Sequence, residues 1–137
     1  MTNPFSLQQK TSLITGGAQG LGEALAERLA AEGASVAVAD LQGEAAMTLA
    51  ARLQFEYGVP AIGLAMDVTS EASVKAGFDT AVFQFGHLDI CVCNAGILQA
   101  GAIGDFDVAA WRQVIEVNLV GYMLTAKHAV RVMRPAG

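Results

Sequence analysis

The segment LITGGAQGLG at positions 13–22, followed at Asp40 by an acid that closes the next apolar run, constrains this chain most. It has the order strand, glycine turn, helix, strand and carboxylate. A helix that begins on a glycine turn directs unpaired backbone N–H groups to one point, where a pyrophosphate can be held. A carboxylate at the end of the second strand can then accept hydrogen bonds from the hydroxyls of a ribose.

Two hydrophobic periods alternate along the rest of the chain. Short apolar runs predict strands at 12–15, 35–39, 61–66 and 89–93. Helical patterns lie between them at 21–32, 44–57 and 71–85, each closed by a glycine, namely Gly33, Gly58 and Gly86. Near-continuous apolar strands that alternate with helices predict a doubly wound, Rossmann-like α/β domain with a parallel sheet.

The last predicted helix spans 108–133, and Pro135 and Gly137 after it indicate a loop that leads to a further strand. We therefore expect residues 1–137 to form a single nucleotide-binding domain that is incomplete at its C-terminus. Its sheet is expected in the order 3-2-1-4 and truncated before the fifth strand. The fourth strand would then be an open apolar edge.

Charge and composition exclude several classes of partner. A net charge of −5 without a Lys/Arg cluster argues against nucleic acid and anionic membranes. No basic leader with an apolar run and no membrane-length apolar run is present, so a cytoplasmic location is expected. Cys91 and Cys93 are predicted to be reduced core thiols. His87 and His128 lack partners at metal-ligand spacing and are predicted on the surface or at helix ends, so no metal is expected.

The glycines follow the spacing Thr-Gly-x-x-x-Gly-x-Gly, and the predicted phosphate-binding residues are Gly16, Gln19, Gly20, Leu21 and Gly22. The alternative is that the glycines only make a tight turn. Asp40 follows Gly22 by eighteen residues, close to the offset of about 20 expected for a ribose-binding acid. Its charge would repel a 2′-phosphate, and Gln19 supplies no cation, so NAD is predicted over NADP. Asp40 can alternatively serve only to end the strand.

With these motifs the chain resembles the short-chain dehydrogenase/reductase family, and the resemblance extends to the last residue. It implies that Asp67 and Val68 hold the adenine ring, although Asp67 can alternatively cap the next helix. Asn94, Ala95 and Gly96 resemble the family's Asn-Asn-Ala-Gly segment, which lines the cofactor cleft. Cys93 replaces the first Asn and is assigned to packing.

Asn118 matches the family's helix Asn, and the resemblance implies a catalytic role in which it holds an ordered water of a proton relay. On a helical period it shares a face with Trp111, Val114, Ile115 and Tyr122. This predicts a buried or half-buried amide that needs a partner. The alternative is an amide bonded to the backbone of a neighbouring strand.

The family's reaction also needs a Ser and a Tyr-x-x-x-Lys pair. Tyr57 has no Lys near it, and Lys127 stands five residues after Tyr122, so the resemblance places these groups beyond Gly137. We expect this chain to supply the NAD-binding half of an oxidoreductase that acts on a small-molecule alcohol or ketone, and to be inactive alone. The complete form is expected to be a homo-oligomer that associates through the last helix.

Segments 33–40, 105–107 and 117–122 resemble the subgroup acting on sugar alcohols and their phosphates, sorbitol-6-phosphate among them. Two other hypotheses are a non-catalytic nucleotide-binding or interaction module and an inactive gene fragment.

Overall fold

Four parallel strands form the sheet of this computed structural model, which describes residue 4 and residues 6–134. The strands are β1 (Thr11–Thr15), β2 (Ser35–Asp40), β3 (Ala61–Ala65) and β4 (Ile90–Cys93). They pair in the order β3-β2-β1-β4, which confirms the predicted order. In the centre of the sheet, Ile14 lies opposite Val38 on one side and Val92 on the other.

Three helices connect the strands close to the positions predicted from the apolar period. They are α1 (Gly20–Ala31), α2 (Gly43–Tyr57) and α3 (Glu71–Phe85). The first turn of α3 is capped by Ser70, whose side-chain oxygen accepts a hydrogen bond from the Ser73 amide. The three glycines follow the helix ends as predicted.

The two faces of the sheet bury two separate hydrophobic clusters, because successive side chains of a strand point to opposite faces. Ile14 packs on one face among side chains of α1, α2 and β2, including the buried Leu53. Leu13 packs on the other face with residues of α3, including Phe78, and with Leu124. This double coverage is the reason why nearly every residue of β1 and β2 is buried, on whichever face its side chain lies.

The sequence predicts one continuous last helix, but the structure divides it into two helices joined by a π-helical turn. Helix α4 (Val108–Ile115) passes into a π-helical turn over Glu116–Val120, and α5 (Gly121–Met133) follows. The Gly121 amide donates to the carbonyl of Glu116, five residues back, so one residue more than usual fits into this turn. Asn118 lies in this turn, and both polar atoms of its side chain are bonded to the loop after β4. The loop predicted at 135–137 lies outside the described residues.

The two histidines differ in placement: His87 is exposed just after α3, as predicted, whereas His128 is buried within α5, contrary to the prediction. Nε2 of His87 lies 3.0 Å from Asp89 Oδ2, and Nε2 of the buried His128 lies 3.2 Å from Glu71 Oε1. The partner of His128 is 57 residues away in sequence, so spacing alone does not reveal it. Among the described residues, no group of three His, Cys, Asp or Glu side chains is arranged to hold a metal ion.

Cys91 and Cys93 are free thiols that lie half-buried on β4. Cys91 packs against the hydrophobic cluster that contains Leu13. The thiols are thus unpaired, as predicted, but they are less deeply buried than core residues. Within the part of the chain that the structure describes, no helix is both long enough and apolar enough to cross a membrane.

Ion pairs join α3 to α5. Glu71 Oε1 accepts from Lys127 Nζ at 2.6 Å, and Asp79 Oδ1 accepts from Arg131 Nη2 at 2.7 Å. The pKa of Glu71 is below its ordinary value, chiefly because of the hydrogen bond from Lys127 and secondly because of the one from His128. Both carboxylates therefore favour the folded state only while they are ionised.

We expect the free energy of unfolding to decrease as the pH falls below about 4.5, because the ion-paired Glu71 has a lower pKa in the folded than in the unfolded chain. The stabilisation is present above the unfolded pKa and is lost as the pH falls through the folded one. Urea unfolding followed by circular dichroism at about pH 7, 5 and 3 measures this decrease in the free energy of unfolding, because these pH values lie on both sides of the expected transition. Glu71→Gln should reduce the dependence on pH, whereas Glu44→Gln at an exposed position on α2 should retain it. The same dependence in both variants would contradict the assignment.

Candidate functional site

A cleft of about 250 Å³ opens at the carboxyl ends of the strands. In open parallel sheets this is the edge where ligands bind, next to the point where the strand order reverses. The cleft is lined by seven of the predicted cofactor-binding residues, Gly16, Gln19, Asp40, Asp67, Val68, Ala95 and Gly96. It is also lined by residues that the sequence interpretation did not single out, among them Leu41, Gln42, Met66, Gln113 and Val117.

The turn between β1 and α1 needs glycine at two positions for steric reasons. Gly16 has a φ of +61°, and a Cβ there would lie 2.8 Å from the Cα of Ala95. A Cβ at Gly22 would overlap the Gly16 carbonyl oxygen and lie 2.6 Å from Asn94 Nδ2. These glycines let α1 and the segment after β4 pack directly against the turn. Gly22 thus has a steric role in the packing of this turn, and it is not among the described residues that line the cleft.

The start of α1 is open toward a ligand. Gln19 is the residue before its first turn, and no side chain caps the helix there. At Gly20, an added Cβ would meet nothing within 4 Å. Leu21 is 70% exposed. The first-turn amides of a helix have no partner within the helix, so this end presents N–H donors and a positive dipole end beside the cleft.

Asp40 ends β2 and holds the turns on either side of it. Its Oδ2 accepts a hydrogen bond from the Ala18 amide at 3.0 Å, and its Oδ1 accepts one from the Gln42 amide at 2.9 Å. The residue is 8% exposed and lines the cleft. Each carboxylate oxygen can accept a second hydrogen bond, so the structural role and a ribose-binding role are compatible.

Thr15 is a site residue that the sequence interpretation did not assign. Its hydroxyl oxygen accepts from the amides of Asn94 and Ala95 at 3.1 and 3.2 Å. Asn94 Nδ2 in turn donates to the Gly16 carbonyl at 2.9 Å. These bonds join the glycine turn to the segment after β4, and Asn94 therefore supports the cleft from behind. The signal available in the sequence was a polar residue directly after the apolar pair Leu13-Ile14. The structure shows that this residue is 1% exposed.

Asp67 and Val68 follow β3 and form part of the cleft wall. Asp67 Oδ1 accepts from the amide and the hydroxyl of Thr69, at 2.9 and 2.7 Å. Asp67 does not cap α3, because Ser70 does. Val68 is 8% exposed and Met66, immediately before Asp67, is 3% exposed. The wall at this end of the cleft is thus apolar, with one exposed carboxylate at its edge.

Asn118 is brought to the segment that follows β4, but it is exposed rather than buried. Its Oδ1 accepts from the Ile97 amide and its Nδ2 donates to the Ile97 carbonyl, both at 2.8 Å. The prediction of a buried or half-buried amide was wrong, because the helix face that Asn118 shares with Trp111 and Tyr122 is itself exposed. The alternative of a bond to the backbone describes the structure, although the partner lies in a loop.

Comparison with known proteins places the chain among dehydrogenases. A family model described as short chain dehydrogenase matches residues 10–137. The chain is 44% identical over 130 residues to cis-4-hydroxycyclohexanecarboxylate dehydrogenase of Sinomonas cyclohexanicum, covering 94% of this chain and 51% of that protein. It is 36% identical over 129 residues to the 3-oxoacyl-[acyl-carrier-protein] reductase FabG of Aquifex aeolicus, covering 94% and 52%.

The fold is also similar to that of solved members of this family. The crystal structure of a short-chain type dehydrogenase/reductase from Mycobacterium marinum superposes with a TM-score of 0.89 at 34% identity. The match covers 93% of this chain and 51% of that one. The chain spans about half the length of the curated relatives described above.

Proposed function

The chain belongs to the short-chain dehydrogenase family, and we propose that it is the NAD-binding half of an oxidoreductase that acts on an alcohol or ketone. The observation that carries the proposal is the cleft at the carboxyl ends of the strands, where the open end of α1 and Asp40 lie together. When bound, the nicotinamide group of NAD supplies the hydride acceptor or donor. The residues of this chain bind and orient the dinucleotide.

We assign each part of the cofactor to one part of the cleft. The amides at Gln19–Gly22 would hold the pyrophosphate, because they offer N–H donors at a helix start that no side chain caps. Asp40 would accept from the ribose hydroxyls. Asp67 and Val68 would hold the adenine ring, whose apolar faces suit the wall that they form with Met66. Ala95 and Gly96 would lie at the nicotinamide end.

The preference for NAD over NADP follows from charge. Asp40 is the acid at the ribose position, and the described residues that line the cleft include no Lys or Arg that would neutralise a 2′-phosphate. A phosphate beside a carboxylate without a cation is disfavoured in this partly enclosed site. The homologous proteins differ in the substrates that they name, and our proposal on the cofactor rests on this chain's own residues.

Asn118 is the residue of this chain that we propose for the catalytic machinery. Its paired hydrogen bonds to Ile97 fix the segment that continues from the nicotinamide end of the cleft. The Oδ1 atom retains capacity for a second hydrogen bond, which the water of a proton relay would use. Lys127 stands five residues after Tyr122 rather than four, so we assign Tyr122 no acid–base role.

The proposed substrate is a small secondary alcohol or the corresponding ketone. The loop after Gly96 exposes Leu98 and Ile103, which are 88% and 86% exposed, and this favours an apolar part in the substrate. Two relatives are named as dehydrogenases of cis- and trans-4-hydroxycyclohexanecarboxylate. A cyclic hydroxy acid is therefore the first candidate, and a sugar alcohol or its phosphate is the second.

We also propose that the complete protein is a homo-oligomer. The π-turn and the two helices beside it expose a row of large apolar side chains, including Val108, Trp111, Leu119, Tyr122 and Met123. An apolar helix face of this kind is typical of a contact between protein chains.

Oxidation assays with the full protein test this function. We expect NADH to form with 4-hydroxycyclohexanecarboxylates or other secondary alcohols, and much less NADPH to form with NADP. Turnover with NADP but not with NAD would overturn the cofactor assignment. Binding of NAD without turnover of any alcohol or ketone would support the alternative of a non-catalytic nucleotide-binding module. Absence of both in a folded protein would support an inactive fragment.

A further inference from the structure

Two helix glycines lie behind the residues that continue β3 along the cleft. A Cβ at Gly77 in α3 would overlap the Cε methyl of Met66, and its distances to Sδ and Cγ would be 3.6 and 3.9 Å. A Cβ at Gly121 in α5 would lie 2.7 Å from Val68 Cγ2. Met66 and Val68 both line the cleft. The positions of these two cleft residues therefore depend on the absence of side chains at Gly77 and Gly121.

The two contacts differ in what can move. The atom next to Gly77 is the end of a flexible methionine side chain with three rotatable bonds. The atoms next to Gly121 belong to a β-branched valine, whose χ1 is restricted, and include the Val68 carbonyl oxygen at 3.4 Å. A methyl group at position 77 can thus be accommodated by a new rotamer of Met66. A methyl group at position 121 must displace backbone.

The surroundings of Met66 determine where its methyl group can go. Met66 is 3% exposed and packs in the same hydrophobic cluster as Val74 and Phe78, which are fully buried. Protein interiors are close-packed and leave no room for an additional methyl group. The cleft is the open side of Met66.

We propose that Gly77 is a positioning residue for the adenine side of the cleft: it gives the Met66 methyl group its place under α3 and thereby keeps the cleft open. This inference rests on the proposed function, since it takes the ligand at Met66 to be the adenine ring of the cofactor. Helix α3, which lies outside the cleft, would then control how much space the cleft leaves for the base beside Met66.

Calorimetric titration of the full protein with AMP tests the inference. Gly77→Ala should leave the melting temperature nearly unchanged, because the higher helix propensity of alanine offsets the cost of the new Met66 rotamer. It should weaken AMP binding about tenfold, which corresponds to ~1.4 kcal/mol. In a Met66→Ala background, Gly77→Ala should have no further effect on the Kd. Gly104→Ala, where an added Cβ meets nothing within 4 Å, is the matched control. An equal loss of affinity with and without Met66 would overturn the inference.

A second measurement separates this inference from the cofactor assignment. The Met66 methyl group, labelled with carbon-13, should change its NMR chemical shift in Gly77→Ala without any nucleotide present. An unchanged shift would show that Met66 does not move and would overturn the inference. If the shift changes but the unaltered protein does not bind AMP, then the proposed adenine site is wrong while the steric link between Gly77 and Met66 stands.

Discussion

Replacement of Asp40 by Asn should raise the affinity for NADP relative to NAD by about 30-fold, which is about 2 kcal/mol. The physical reason is that a carboxylate and a phosphate charge about 4 Å apart repel each other by about 4 kcal/mol at the effective dielectric constant of a protein surface. Salt screens part of this repulsion, so we expect about half of it to be measured. Asn keeps one oxygen that can accept from Ala18 or Gln42, so the turns at the end of β2 should persist. Calorimetric titration with both cofactors measures the ratio.

Two further variants separate charge from structure. Asp40→Ala removes the side-chain acceptors of the Ala18 and Gln42 amides. We therefore expect the same relaxed discrimination together with a loss of stability of about 1–3 kcal/mol, mainly from the partly buried Ala18 amide. Asp67→Asn changes a second carboxylate of the cleft, and it should alter the two affinities equally. An unchanged ratio of affinities in Asp40→Asn, or the same change of ratio in Asp67→Asn, would refute the assignment of Asp40 to the ribose.

Replacement of Gly22 by Ala should destabilise the protein by about 2 kcal/mol or more and abolish measurable NAD binding. Alanine normally stabilises a helix relative to glycine, by about 1 kcal/mol. Here the added Cβ would overlap the Gly16 carbonyl, which is backbone and cannot rotate away, and it would press on Asn94 Nδ2. The clash therefore outweighs the helix propensity and breaks the hydrogen bond between Asn94 and Gly16.

Gly20→Ala is the matched control in the same turn. Its φ of +58° makes alanine unfavourable by about 1–2 kcal/mol, but the new Cβ meets nothing within 4 Å. We expect the Gly20 variant to retain the contact between the turn and Asn94, and to bind NAD more weakly rather than not at all. Chemical denaturation and NAD titration of both variants provide the comparison. A Gly22→Ala variant as stable as the unaltered protein would contradict the packing described for this turn.

The sequence predicts the α/β framework well because the signals for its elements are local. The apolar runs of β1 and β2, the helical period of α1–α3 and the glycines after these helices each lie within a short segment. The fourth strand is predicted on the same basis, and the order of the strands then brings Gly16, Asp40 and Ala95 to one cleft.

Features that depend on contacts distant in sequence were not predictable in this way. The π-helical turn at Asn118 goes with paired bonds to Ile97, 21 residues away. The hydroxyl of Thr15 is used by amides about 80 residues further on. His128 pairs with Glu71 across two helices. The sequence contains each of these residues, but only the folded chain shows what each one contacts.

A crystal structure of the protein with bound NAD tests the central claim most directly. We expect a ribose hydroxyl to lie within hydrogen-bond distance, about 2.5–3.0 Å, of Asp40, and the pyrophosphate to lie at the amides of Gly20–Gly22. We also expect the adenine ring to lie against Val68. A dinucleotide bound elsewhere, or one bound here with its ribose turned away from Asp40, would contradict this claim.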